Sequence, residues 1–200
     1  MLLSNTKNIL DIVNGYSSLE KVVEFKGVYT DTREYINDGL FVALEGENFD
    51  GHNFAQKAEK SGAKVIIAHN KVNTTLPVIM VSNTEKAYQK IATWHRQSLS
   101  PKVIAITGSN GKTSTKNMLH SILSLHGKTL STKGNLNNHL GVPKTILNLT
   151  IEHQYCVVEM GANHQNEIKL LCDIAKPDIS IITNANNAHL GEFGSIEKLV

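Results

Sequence analysis

The sequence predicts two α/β domains in tandem, a small one over residues 1–98 and a parallel-sheet domain carrying a phosphate-type glycine loop (a P-loop) over residues 102–200. Short β-branched and aromatic runs alternate with segments of helical apolar spacing, the pattern of strands joined by covering helices. The polar stretch Gln97-Ser98-Leu99-Ser100-Pro101 interrupts that alternation and marks a domain junction. Beyond it, Ile104-Ala105-Ile106-Thr107-Gly108-Ser109-Asn110-Gly111-Lys112-Thr113-Ser114 joins a buried-strand pattern, a glycine turn and a helix opening on Lys-Thr.

Composition sets the outer limits. A chain of 200 residues with 40% apolar side chains, 14 glycines and 19% charged residues is globular, neither disordered nor fibrous. Twenty Lys and Arg against 18 Asp and Glu leave a net charge of +2, which argues against a polybasic nucleic-acid or membrane surface, a local patch aside, and leaves small anionic ligands open. Cys156 and Cys172 form no Cys-x-x-Cys pair, so neither a disulfide framework nor a zinc site is indicated, and a reducing cytoplasm is expected. The first residues, Met1-Leu2-Leu3-Ser4-Asn5-Thr6-Lys7, lack the charged and apolar regions of a secretory leader, and no run approaches a membrane span. A monomer is expected.

Ile9, Leu10, Ile12 and Val13, after cap candidates Ser4 to Thr6 and before Gly15, predict an opening helix. Strands are predicted at Val28–Thr30, Leu40–Leu44, Val65–Ala68 and Val78–Val81. Phe54, Ala55 and Ala58 before Gly62 give one helix, and Ala87, Ile91, Ala92 and Trp94 after Asn83-Thr84 give another. In the second domain the order is strand Val103–Thr107, helix Lys112–His126, strand Thr129-Leu130, helix Gly141–Leu149, strand Tyr155–Glu159, helix Gln165–Ala175 and strand Ile179–Thr183. Apolar strands in this alternation predict a parallel sheet covered on both faces. Ser195 reads as a helix cap, and Ile196, Leu199 and Val200 begin an apolar face that stops, which predicts a domain continuing past Val200 with one flank of its sheet poorly covered.

Gly108 and Gly111 let backbone N–H groups encircle a polyphosphate, the helix N-terminus adds positive potential, and Lys112 supplies a cation for the terminal phosphates. Thr113 would hold magnesium. The spacing is not the ordinary Gly-x-x-x-x-Gly-Lys loop, because Ile106 stands where that pattern needs glycine. Glu159 ends the apolar run Cys156-Val157-Val158, where an unpaired carboxylate is costly, and the carboxyl ends of parallel strands form the ligand edge. A solvated strand-end glutamate is the alternative. His189 falls on the same edge through Asn184-Ala185-Asn186-Asn187, although one histidine by itself defines no role. In the first domain, Thr30-Asp31-Thr32-Arg33 and Asp50-Gly51-His52 follow strands. They suit a nucleotide or diphosphate, or equally an exposed Asp31–Arg33 ion pair and a simple Asp-Gly turn. His120 and His126 read as surface residues.

These residues resemble the Mur ligases of peptidoglycan synthesis over nearly the whole chain. Thr107-Gly108-Ser109-Asn110-Gly111-Lys112-Thr113 is similar to the phosphate loop of that superfamily, folylpolyglutamate synthases included. Gly134-Asn135-Leu136-Asn137-Asn138-His139-Leu140-Gly141-Val142-Pro143 and Glu159-Met160-Gly161-Ala162-Asn163-His164-Gln165-Asn166-Glu167-Ile168 resemble segments that separate one branch from its sisters, with Asn166 where glycine is usual. Asp31-Thr32-Arg33 through Asp50-Gly51-His52 resembles a UDP-binding domain of the family, with threonine where serine is commoner. The resemblance implies an ATP-dependent ligase that joins D-alanyl-D-alanine to UDP-N-acetylmuramoyl-tripeptide through an acyl phosphate. It implies that Gly108, Ser109, Asn110, Gly111, Lys112, Thr113 and Ser114 bind ATP. Thr113, Glu159 and His189 then organise magnesium, with Lys112, Glu159 and His189 as the catalytic set. Asp31, Thr32, Arg33, His52, Asn137 and Asn138 face the UDP-muramoyl substrate. The family's modified lysine for a second magnesium and its third domain would follow Val200, so this chain is expected to be an incomplete enzyme. Another amide ligase of the family and a fragment that only binds the UDP substrate are the alternatives; a simple ATPase or GTPase lacks support because no nucleotide-specificity motif is found.

Overall fold

A computed structural model describes residues 2–17 and 21–185 of the chain, which divides into two compact units, Met1–Trp94 and His95–Val200. The predicted helix Ser195–Val200 and the candidate ligand His189 lie outside the described residues.

In the first unit, β1 (Leu3–Asn5) and β2 (Glu24–Lys26) pair antiparallel around α1 (Thr6–Val13). The Asn5 side chain accepts the Asn8 N–H at 3.0 Å, and Asn14 closes the helix in the left-handed region. The main sheet is wholly parallel, in the order β3 (Val28–Tyr29), β4 (Leu40–Val42), β7 (Val65–Ala68), β8 (Val78–Met80). Between β4 and β7 stand the hairpin β5 (Glu45–Gly46) and β6 (Phe49–Asp50), a 3-10 turn at Gly51–Phe54, and α2 (Ala55–Lys60). Leu40, Phe41 and Val42 are all buried, as a strand covered on both faces requires. On one face Tyr29, Phe41 and Ile66 cluster with Ala63 and with Ala55 and Ala58 of α2, whose small side chains let the helix approach the sheet. Since all four strands run one way, the loops after β3, β4, β7 and β8 open on one edge.

The helix α3 (Thr84–Gln97) contains the division between the units, four residues before the sequence boundary at Ser98. Its last turn is anchored in the second unit. The His95 Nε2 donates to the Leu149 carbonyl at 3.0 Å, and the buried Arg96 guanidinium donates to the Ala175 and Lys176 carbonyls at 3.0 and 3.2 Å.

The second unit is a parallel sheet in the order β10 (Thr129–Ser131), β11 (Tyr155–Glu159), β9 (Lys102–Thr107), β12 (Ile179–Ile182). Ile104, Ile106 and Val157 on one face meet Leu119 and Leu123 of α4 (Lys112–Ser124). The alternate residues Val103, Ala105, Cys156 and Val158 face the other way and are buried too, with α5 (Gly141–Leu147) against β11 and α6 (Glu167–Ala175) against β9. The edge strand β12 is poorly covered, with Ile179 54% and Ile182 70% exposed. Among the described residues, no helix is long and apolar enough to cross a membrane.

Each strand and helix predicted within the described residues is present, with ends shifted by a few residues. The helix predicted from Gln165 starts at Glu167, because Asn166 caps it at φ 68. That conformation favours glycine, and asparagine is the side chain that best tolerates it, which accounts for the departure at this position. The β1–β2 ribbon and the β5–β6 hairpin were not predicted, since strands of two or three residues carry too little alternation.

Candidate functional site

The glycine turn lies between β9 and α4. Gly108 has φ 132, and a Cβ there would sit 2.2 Å from Thr183 Oγ1, so conformation and space both demand glycine. Gly111 caps α4 at φ 81, and among the described residues a Cβ there would meet nothing within 4 Å. The loop is clipped from the strand next door. Thr183 Oγ1 donates to the Asn110 carbonyl at 2.6 Å, Asn184 Oδ1 accepts the Asn110 N–H at 3.0 Å, and Asn184 Nδ2 returns a bond to the Asn110 carbonyl at 3.1 Å. Lys112 folds over the turn and donates to the Gly108 and Ser109 carbonyls at 2.6 and 3.2 Å. Ser114, on the first turn of α4, is exposed.

Glu159 is the centre of the site. In register with Ile106, it points to the α4 face of the sheet, and it is 3% exposed. Its Oε2 accepts the Thr113 hydroxyl at 2.9 Å and lies 3.6 Å from Lys116 Nζ; its Oε1 accepts Asn137 Nδ2 at 3.0 Å. The backbone N–H of Glu159 donates to Thr132 Oγ1 at 3.0 Å, which ties the exit of β10 to the end of β11. Gly161 leaves room for Asn137, since a Cβ there would press to 3.1 Å on the Asn137 amide. Asn138 is turned elsewhere: its Oδ1 accepts the Leu140 and Gly141 N–H groups at 3.2 and 2.9 Å and closes the start of α5.

Two hard oxygen donors, Thr113 Oγ1 and Glu159 Oε2, thus stand together beside the glycine turn at a helix N-terminus. That donor set suits magnesium, and the turn suits the phosphates that accompany it. Among the described residues there is no group of three or more His, Cys, Asp or Glu side chains able to hold a metal by themselves. The phosphate oxygens of a nucleotide are the natural remaining ligands.

Sequence reasoning missed Lys116, Thr132, Thr183 and Asn184. Lys116 carries a legible signal: with Leu119 and Leu123 it forms the 3.6-residue stripe of α4 that faces the sheet, so a lysine there must find a buried acid.

The edge of the first unit is built differently. Asp31 accepts the Arg33 N–H at 2.9 Å and takes the Arg33 guanidinium at 3.0 Å through Nε and 2.6 Å through Nη2, with the Arg33 side chain 83% exposed. Thr32 is buried beside them. His52 is 7% exposed and fully engaged: its Nδ1 donates to Asp50 Oδ1 at 2.5 Å, and its Nε2 accepts the His69 and Asn70 N–H groups at 3.2 and 3.4 Å. These bonds fix the tautomer with the proton on Nδ1, and the His52 N–H and ring hold the Asp50 carboxyl below its ordinary range. The His69 ring stands edge-on to His52 with centroids 4.2 Å apart and pairs Glu45 Oε2 at 2.9 Å and Thr84 Oγ1 at 3.2 Å. His69, Glu45 and Thr84 escaped the sequence reading; a histidine directly after the buried strand β7 was the available signal.

Comparison with known proteins decides the family. The model described as "Mur ligase family, catalytic domain" matches residues 24–100, and "Mur ligase middle domain" matches residues 106–200. The chain belongs to the Mur ligase family. It is similar to the UDP-N-acetylmuramoyl-tripeptide–D-alanyl-D-alanine ligases of Escherichia coli, at 42% identity over 98% of this chain and 43% of that protein, and of Bacillus subtilis, at 38% over 98% and 44%. The crystal structure of MurF from Acinetobacter baumannii superposes with a TM-score of 0.90 at 39% identity, over all of this chain and 45% of that one. MurF from Thermotoga maritima in complex with ADP superposes with a TM-score of 0.80 at 34% identity, over 87% and 41%. This Mur ligase chain therefore spans less than half the length of these relatives.

Proposed function

We propose that this chain holds the nucleotide phosphates and the UDP-linked substrate for an ATP-dependent ligase that adds D-alanyl-D-alanine to UDP-N-acetylmuramoyl-tripeptide in the cytoplasm. The observation that carries the proposal is the Thr113–Glu159 pair, 2.9 Å apart and backed by Asn137, at the mouth of a glycine turn capped by Lys112. The likeness to named ligases of this specificity supports the substrate assignment. Residues 102–200 form the ATP domain and residues 1–98 the UDP-muramoyl domain.

The chemistry follows from a poor electrophile. The tripeptide carboxylate attacks the γ-phosphorus of ATP, the bond to the β-phosphate oxygen breaks, and ADP leaves. The D-alanyl-D-alanine amine then attacks the acyl phosphate carbon, loses a proton, and expels phosphate as the amide forms. The backbone N–H groups of Gly111, Lys112 and Thr113 bind and orient the phosphates at the N-terminus of α4, while those of Ser109 and Asn110 are held by Asn184. Lys112 turns from the loop carbonyls to the phosphate oxygens, where it offsets charge that builds during transfer. Magnesium, when bound, neutralises the phosphate oxygens and fixes their geometry, and Thr113 and Glu159 would hold it, together with His189. Asn137 keeps Glu159 in place from the opposite oxygen. In the first unit, the exposed Arg33 guanidinium binds the diphosphate of the substrate, and buried His52 shapes the loop edge beside it.

The test is calorimetric titration of the chain with magnesium-ADP and, separately, with UDP-N-acetylmuramoyl-tripeptide. Saturable binding of both is expected. A chain that binds neither overturns the proposal; binding of the UDP substrate alone removes the nucleotide half.

A further inference from the structure

Lys116 and Glu159 form a buried ion pair behind the phosphate loop. Their side chains are 5% and 3% exposed, and the ammonium stands 3.6 Å from Glu159 Oε2. That oxygen also accepts the Thr113 hydroxyl at 2.9 Å, so it is the one that faces the proposed cation site. The other oxygen is held by the neutral Asn137 amide. Lys116 reaches the carboxylate because it sits one turn beyond Thr113 on the face of α4 that continues as Leu119 and Leu123. A charge at this depth is tolerated only with its partner, in either direction.

A divalent cation on Oε2 would share that carboxylate with an ammonium that cannot leave. The two positive charges oppose each other, and the low-dielectric surroundings make the opposition strong. The four negative charges of an ATP polyphosphate offset it. We propose that Lys116 is a positioning residue that acts as the internal counter-cation of Glu159: it holds the carboxylate in place while no metal is bound, and it makes metal binding depend on the nucleotide phosphates. The proposal rests on the phosphate-loop reading given above, and it assigns Lys116 no contact with substrate.

The experiment measures thermal unfolding of the whole chain in EDTA and in MgCl2, without nucleotide, for the unmodified chain, Lys116→Met, Lys116→Arg and Lys116→Met with Glu159→Gln. The unmodified chain should shift little with magnesium alone. Lys116→Met should unfold about 5–10 °C lower in EDTA and recover most of that loss in magnesium, with apparent magnesium affinity about tenfold higher. If Lys116→Met does not fold in EDTA, refolding on addition of magnesium is the same readout. Lys116→Arg should behave as the unmodified chain, and the double variant should be more stable in EDTA than Lys116→Met and blind to magnesium. A Lys116→Met protein that magnesium does not restore, or losses that simply add in the double variant, overturn the proposal. Titration with magnesium-ADP separates the two levels. An unmodified chain that fails to bind it sinks the phosphate-loop reading, and a chain that binds it while Lys116→Met ignores magnesium sinks only the role of Lys116.

Discussion

At the carboxyl edge of the first sheet the polar groups are spent on one another, whereas at the edge of the second they converge on a single carboxylate beside a glycine turn. His52 uses both ring nitrogens within the protein, and His69 spans Glu45 and Thr84. Glu159 by contrast gathers a hydroxyl, an amide and an ammonium next to a turn where, among the described residues, a Cβ at Gly111 would touch nothing. The difference teaches where each unit meets its ligand. On the proposed function, the second unit would meet its ligand through the buried Glu159 itself, whereas in the first the buried histidine network would be a frame and contact would fall to an exposed residue such as Arg33.

The largest effect that sharpens this contrast is expected from Lys112→Ala. Among the described residues the side chain bonds only the loop carbonyls of Gly108 and Ser109, so the fold should persist, by circular dichroism, while magnesium-ADP affinity falls about 100-fold. Unchanged affinity would place the phosphates elsewhere.

Glu159→Gln comes next and is no longer a clean removal of charge. The amide keeps the shape and weakens magnesium-dependent nucleotide binding about tenfold, but it also leaves the Lys116 ammonium buried without a carboxylate. Stripping one partner from such a pair costs about 3–5 kcal/mol. A Glu159 that served only as a metal ligand would lose nucleotide binding far more than stability; the buried pair predicts both losses, and chemical denaturation beside nucleotide titration separates them.

A smaller effect tests the first unit. Arg33→Ala should lower affinity for UDP-N-acetylmuramoyl-tripeptide about tenfold and change stability by less than about 0.5 kcal/mol, as for an exposed side chain. His52→Ala should cost about 2–3 kcal/mol, because Asp50 and two backbone N–H groups lose their partner. If His52→Ala left stability intact and abolished substrate binding, His52 would be a contact residue and the proposed division between frame and contact would fail.

Most of the architecture was legible because it rests on periodicity. Continuous apolar runs such as Val65–Ala68 and Tyr155–Glu159 are strands buried on both faces, and the glycine turn after Thr107 is a local conformational demand that sequence displays directly. Partners were much less legible than positions. Glu159 was recognisable as an acid needing a cation, yet which cation depends on the register of β11 against β9 and the phase of α4, both long-range facts. For the same reason the clip from Thr183 and Asn184 onto Asn110, some 70 residues away, was out of reach. Asn137 and Asn138, adjacent in sequence, took opposite tasks, one on Glu159 and one capping α5, a distinction set by the loop path alone.

The smallest expected effect is a pH dependence confined to the second unit, centred on His95. Its Nε2 donates to the Leu149 carbonyl at 3.0 Å, while its Nδ1 is buried with no hydrogen-bond partner among the described residues, which favours the neutral ring. Burial keeps its pKa below the ordinary 6.5, and the bond to Leu149 only partly opposes this. As the pH falls, the unfolded chain takes up the proton first. Stability from this group is therefore full above about 6.5 and declines as the pH drops toward the folded-state value, with a slope of at most about 1.4 kcal/mol per pH unit. His153 in the same unit is lowered chiefly by burial and acts in the same direction. Replacing His95 with Gln keeps a donor for Leu149 and removes the titration, so the Tm difference between pH 7.5 and 5.5 should shrink in the variant. An equal difference in both proteins would assign the pH dependence to other groups and leave His95 as a packing residue.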